Sequence, residues 1–180
     1  MSDVTDVPIG PTDTSSMSQE QIEELNLRVV QAHFHNETPD SVDKAIALYA
    51  DKVTWEAPNR GVVLHDPAEI KKSYMGIFST VHYNRTYALR RFARGNTVFD
   101  DQVADLTVVG DQMPNLGFKP GDRISMRLVH IFELENGQIT REIAYEMSRL
   151  WGGPRDHDAI IEGAVVEDFP DGPDFGKWEK

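Results

Sequence analysis

The sequence predicts an α+β fold, with helices gathered on one side of a largely antiparallel, strongly curved sheet that encloses a pocket. Three observations carry this. Helix start signals and 3.6-residue periodicity are confined to residues 18–81, interrupted by one alternating strand. Four alternating segments then follow at 84–94, 97–109, 122–135 and 138–148, with turns such as "KPGD" and "ENG" between them. Finally, 180 residues without an internal repeat suit one core with tails.

Residues 1–17 are polar with Pro, Gly and Ser, and read as a disordered tail. Ser18 and Gln21 form a capping box for the first helix. On that helix Ile22, Leu25, Asn26, Val29 and His33 share one side. "TPDSVDKAIALYA" restarts a helix with Pro39 at its first position, where the missing N–H costs nothing. "KVTWEAP" alternates as a strand, with Val53, Trp55 and Ala57 on one face. Asp66 and Pro67 open a third helix that runs to about Val81. The domain therefore spans 18–150. Residues 151–180 hold Ile160, Ile161, Val165, Val166, Phe169 and Trp178 among Gly, Pro and Asp, which predicts an extension packing on the domain or on a partner subunit.

Composition narrows the function classes. A formal charge of −12 argues against a nucleic-acid partner, since phosphate binding needs clustered Lys and Arg. No cysteine is present, so thiolate nucleophiles and cysteine metal sites are excluded. No apolar run is long enough to span a bilayer and no signal peptide is recognisable, from which a cytoplasmic location without a membrane partner is expected. Apolar residues on both faces of the last two strands predict a homodimer.

The strand "LVHIFELENGQI" places His130 on the side of Met126, Leu128, Phe132 and Leu134. A neutral imidazole donates from one nitrogen and accepts at the other, with an ordinary pKa near neutrality, so His33 and His130 are candidate acid/base residues. The alternative for each is a structural histidine bonded to a tyrosine or a carbonyl. Asp105 is a further candidate, because flanking apolar residues could raise its pKa, with a solvated outer aspartate as the rival. Trp55, Phe78, Met126 and Phe132 are candidate pocket lining for an aromatic or cyclic ligand, although each is also ordinary core. No metal-ligand spacing and no phosphate loop is recognisable, so no metal or cofactor is expected.

"VVQAHF", "AIALYADKVTWEAPNRG", "AEIKKSYM" and "HIFELENGQI" resemble the NTF2-like (cystatin-like cone) superfamily, in the branch of ketosteroid isomerase and the SnoaL-like polyketide cyclases. The resemblance covers roughly residues 18–150. It implies a cone-shaped sheet around the N-terminal helices. It aligns His33 with the isomerases' oxyanion-hole tyrosine, Tyr49 and Tyr74 with their supporting tyrosines, and Ala57 with their general-base aspartate. His130 falls at their second oxyanion-hole residue, near the SnoaL-type acid/base aspartate. Glu142 aligns with a cavity-facing position, whereas simple alternation puts Ile139, Ile143 and Tyr145 inside and Glu142 outside. The water-activating Arg/Asp set of limonene epoxide hydrolases is not recognisable, and Ala144 stands near one of its aspartates.

Both oxyanion positions are thus histidine and the base position is alanine, so steroid isomerisation is not expected. The expectation is a cofactor-free acid/base enzyme of lyase, cyclase or isomerase type acting on a hydrophobic oxygenated small molecule. The alternative is a non-catalytic small-molecule-binding or dimeric scaffold protein.

Overall fold

The computed structural model describes residues 7–153 and a two-residue strand at Glu167–Asp168. Three α-helices, α1 (Gln19–His35), α2 (Val42–Ile46) and α3 (Pro67–Thr80), accompany seven strands. These are β1 (Tyr49–Ala57), β2 (Val62–Leu64), β3 (Val81–Arg94), β4 (Thr97–Val108), β5 (Arg123–Glu135), β6 (Gln138–Leu150) and β7 (Glu167–Asp168). They form one open sheet in the order β2-β1-β6-β5-β4-β3-β7. Every pairing is antiparallel except β1 with β6. Helix α1 touches β3, β4 and β6, and the core of Val29, Val30, Trp55, Ile70, Leu106, Phe132 and Ile139 fills the space between helices and sheet.

Local chemistry explains the boundaries. The Ser18 hydroxyl accepts the Gln21 N–H at 3.3 Å while the Gln21 side chain accepts the Ser18 N–H at 2.8 Å, a reciprocal cap that fixes where α1 begins. Asp66 caps α3 through the N–H groups of Ala68 and Glu69, ahead of Pro67. Helix α2 is shorter than the sequence predicts. The Thr38 hydroxyl accepts the Ser41 N–H at 3.2 Å, holding residues 38–41 in a turn, and Tyr49 already belongs to β1.

Asn136 and Gly137, at φ 52° and 73°, make the left-handed two-residue turn between β5 and β6 and pair Glu135 with Gln138. Leu134 then faces Ile139, but Glu133 faces Arg141, so Thr140 is an extra residue in β6. This bulge shifts the alternation by one position.

Residues 7–16 depart from the tail expected of them. Val7 packs against the core, and the Thr12 N–H donates to the Asn136 carbonyl at 2.8 Å, which ties this segment to the β5–β6 turn. Residues 1–6 lie outside the described residues. Glu167–Asp168 pair with Ala88 and Tyr87 at the β3 edge. The apolar residues 160, 161, 165, 166, 169 and 178 of the extension lie outside the described residues. Among the described residues no helix is long and apolar enough to cross a membrane.

Candidate active site

The Thr140 bulge decides which face of β6 looks inward. Past it, Glu142, Ala144 and Glu146 point to the concave side and are buried, while Tyr145 and Met147 are exposed on the outer face. The expectation that Ile139, Ile143 and Tyr145 share the inner face is therefore corrected. Ile139 is inside, and Ile143 and Tyr145 are turned out by the extra residue. In register, Glu142 faces Phe132, Ala144 faces His130 and Glu146 faces Leu128. The small methyl of Ala144 thus lies between two carboxylates on β6 and opposite an imidazole on β5.

Above this row is a cavity of about 60 Å³ lined by Phe34, Trp55, Tyr74, His130, Glu142 and Ala144, with Glu37, Phe78, Gln102, Met126 and Glu146 also reaching it. At roughly 10–15 Å³ per water-sized group, this is room for about one small ring. Of the predicted lining residues, Trp55, Tyr74, Phe78 and Met126 do face the cavity. Tyr49 stands behind Glu142, and Phe132 is fully buried between the histidines, with its ring centroid 5.8 Å from His33 and 5.9 Å from His130. The two histidines therefore do not form one pair. Each has its own carboxylate.

His33, in the last turn of α1, is fully buried. Its Nδ1–H donates to the Ala45 carbonyl at 3.3 Å. Its Nε2 lies 3.0 Å from Glu37 Oε1 and 3.3 Å from Glu142 Oε2. The Tyr49 hydroxyl donates to Glu142, and the Tyr74 hydroxyl donates toward Glu37 at 3.2 Å and Glu142 at 3.3 Å. The Tyr74 hydroxyl also lies 3.1 Å from Nε2, and the two carboxylate oxygens beside Nε2 can only accept, which favours Nε2 as a second donor and His33 as an imidazolium. Burial opposes its charge, but Glu142 and Glu37 outweigh burial and push its pKa up to about 10. Burial likewise opposes the Glu142 charge, and the His33 cation beside it holds the carboxyl below its ordinary 4.5. Among the described residues, His33, Glu37 and Glu142 also form a trio whose ligand atoms lie within 4.8 Å of one another and could hold a metal ion.

His130 has a different partner. Asp100 is its direct cross-strand neighbour on β4. His130 Nδ1 lies 3.3 Å from Asp100 Oδ2, Gln102 donates to the same oxygen at 3.0 Å, and Arg91 Nε donates to Oδ1 at 2.7 Å. Asp100 is fully buried, and its pKa is lowered by His130 and Arg91 despite that burial. For His130, burial pulls the pKa down, but the Asp100 hydrogen bond and charge win and raise it above 6.5. The ring lines the cavity while Nδ1 is engaged by Asp100.

Asp105 is corrected as a site residue. It points to the outer face, bound by Arg123 at 2.5 and 2.8 Å and by Asn84 at 3.1 Å, which lower its pKa although burial opposes this. Its flanking residues, Ala104 and Leu106, are the ones on the inner face. The carboxylates inside the cone that sequence reasoning missed are Asp100, Glu37 and Glu146. Asp100 shares its parity with Val98, Gln102 and Leu106 in "VFDDQVADL", and this was the available signal.

The family model of the SnoaL-like domain matches residues 30–142, a span running from α1 to the cavity carboxylate Glu142. The chain belongs to the SnoaL-like domain family. Among solved structures, this SnoaL-like chain is similar to an NTF2-like protein from Burkholderia xenovorans LB400, at 14% identity and TM-score 0.57, over 69% of this chain and 91% of that one. It is also similar to a candidate polyketide cyclase from Xanthomonas campestris, at 20% identity and TM-score 0.57, over 68% and 90%. An LEH-like epoxide hydrolase of M. tuberculosis gives 17% identity and TM-score 0.54, over 69% and 84%. At such identities the likeness establishes the fold alone. No curated protein matches the chain.

Proposed function

We propose that this SnoaL-like protein is an acid/base enzyme that uses its own side chains on a small, hydrophobic, oxygenated ring compound, in a lyase, isomerase or cyclase step. One observation carries the reading: Glu142 and His130 are diagonal neighbours on adjacent strands and face the same cavity. Diagonal positions are roughly 7–8 Å apart, a gap that one bound ring can bridge.

Formal charges assign the roles. Glu37, Glu142 and His33 sum to −1, so a carboxylate stays ionised to take a proton, although the His33 cation lowers its basicity. Asp100, Arg91 and protonated His130 sum to +1, an environment suited to a developing oxyanion. The Glu142 carboxylate removes a proton from a carbon next to a carbonyl. The C–H electron pair becomes a C=C bond, the carbonyl π pair moves to oxygen, and that oxygen takes the His130 Nε2 proton. As the enol O–H returns its proton to His130 and the carbonyl re-forms, the electron pair either takes the Glu142 proton at a conjugated carbon, completing an isomerisation, or expels a leaving group from the β-carbon, completing a lyase step.

Exchange of the α-hydrogens of cyclohexanone in D2O, followed by NMR, tests the first half-reaction without the natural substrate. We expect exchange above the buffer rate, reduced about 10²–10⁴-fold in His130→Gln and in Glu142→Gln. Exchange no faster than buffer would remove this reading in favour of a binding protein. We further propose a homodimer through the outer face, where Val129 pairs with Tyr145 and Ile131 with Ile143, beside exposed Met147.

A further inference from the structure

Trp55, in the cavity wall, and Arg60, in the 3-10 turn packed against it, hold polar hydrogens that the acid/base reading does not use. Trp55 is 2% exposed and lines the cavity, and its indole Nε1–H has no acceptor among the described residues. Arg60, 3% exposed, stacks on that indole with its guanidinium carbon 5.2 Å from the ring centroid. It meets the cavity carboxylate Glu146 through Nε alone, at 3.0 and 3.2 Å, and its buried Nη2 has no acceptor among the described residues. A buried donor without a partner is costly, and two in one stacked pair are uncommon in a folded protein. The Arg60–Glu146 ion pair is neutral overall, so the corner offers N–H donors without a net charge. Glu146 stands one inward position beyond Ala144, and Trp55 is the backbone neighbour of Glu142. Through Trp55 and Glu146 the corner therefore reaches the same space as the proposed acid and base, with Arg60 packed between them.

We propose that the Trp55–Arg60 corner is an acceptor-binding subsite, taking a second oxygen of the substrate while the first faces His130. This rests on the acid/base reading and deepens it: the substrate class becomes a single ring bearing two oxygens on different sides. The subsite acts by orientation, since one oxygen alone leaves a small ring free to turn within the cavity.

The test uses the full-length chain and two probes of nearly equal size, cyclohexanone and cyclohexane-1,4-dione. The chain has three tryptophans, so the Trp55 indole N–H signal is identified by its loss in Trp55→Phe. We expect the dione to bind about tenfold or more tightly than the ketone, as hydrogen bonds to buried or charged donors allow. We also expect it to move the Trp55 indole signal while the other two indole signals stay in place. In Trp55→Phe, and separately in Arg60→Gln, the preference should fall to about twofold, the statistical factor for two identical oxygens. Arg60→Gln could destabilise the chain by leaving Glu146 unpaired, but the wild-type indole signal and Trp55→Phe decide the matter without it. Equal affinity for the two probes, including no measurable binding of either, or an unmoved indole signal, would overturn the subsite. If the two probes bind equally and both move the His130 ring signals, the subsite fails and the acid/base reading stands. If neither does, both fall.

Discussion

Asp100 and His130 face each other directly across β4 and β5, with both side chains turned into the cone and 3.3 Å between Oδ2 and Nδ1. The carboxylate fixes the imidazole tautomer and favours its charged form, leaving Nε2 as the proton-transfer atom. Asp100→Asn removes the charge while keeping the shape. The His130 pKa, followed by NMR titration, should then fall below its wild-type value, and α-hydrogen exchange should drop about 10²-fold or more. An unchanged titration would show that Asp100 does not govern His130.

Stability should have a pH plateau whose edges are set by the buried ion pairs. His33 has a raised pKa of about 10, so its contribution is full below 6.5 and is lost as pH rises through about 10. Glu142 and Asp100 have lowered pKa values, so their contributions are present above their ordinary 4.5 and 3.8 and are lost as pH falls below them. Melting temperature should therefore decline above about pH 7 as well as in acid. His33→Phe should flatten the alkaline decline, and a parallel alkaline slope in that variant would contradict the assignment.

Ala144 keeps the middle of the cavity open. Ala144→Leu should fill it, at a cost of about 1–3 kcal/mol or less if the added methyls settle into the space. Binding of cyclohexane-1,4-dione, read by its thermal shift, should be abolished. A folded Leu variant that binds the probe as the wild type does would place the ligand elsewhere.

Asp105→Asn should leave α-hydrogen exchange within about twofold. Its partner Arg123 is half exposed, so the stability loss should stay within about 1 kcal/mol. A 10²-fold loss of exchange would return Asp105 to the site.

Light scattering at micromolar concentration should give twice the chain mass, and Tyr145→Glu should convert the species to a monomer. A wild-type monomer at that concentration would refute the outer-face pairing.

Much of the architecture was legible because it is written in local patterns: the Ser18 cap, the Asp66–Pro67 helix start, the Asn136–Gly137 turn and the alternation of β3 to β6. His130 was legible for the same reason, since no irregularity separates it from Phe132 and Met126. Glu142 was not, because parity counted from Ile139 crosses Thr140, and nothing in "QITREIAYE" announces an extra residue. Asp105 misled for a related reason. Sequence neighbours in a strand lie on the opposite face, so apolar residues at 104 and 106 argue for an outward aspartate. Glu37 stands four residues after His33, a local spacing, whereas the contacts of both with Tyr74 depend on how α1, α3 and the sheet close together.

The bulge at Thr140 acts as a parity switch for the chemistry that β6 shows to the cavity. Paired regularly, with Thr140 opposite Glu133 and the turn kept, β6 would exchange its two faces beyond that point. Arg141, Ile143 and Tyr145 would enter the cone, and two carboxylates would leave it. The same letters without the bulge would thus line the cavity with the opposite charge. Losing residue 140 and the bulge together would, by contrast, leave Glu142, Ala144 and Glu146 opposite Phe132, His130 and Leu128 and the interior unchanged.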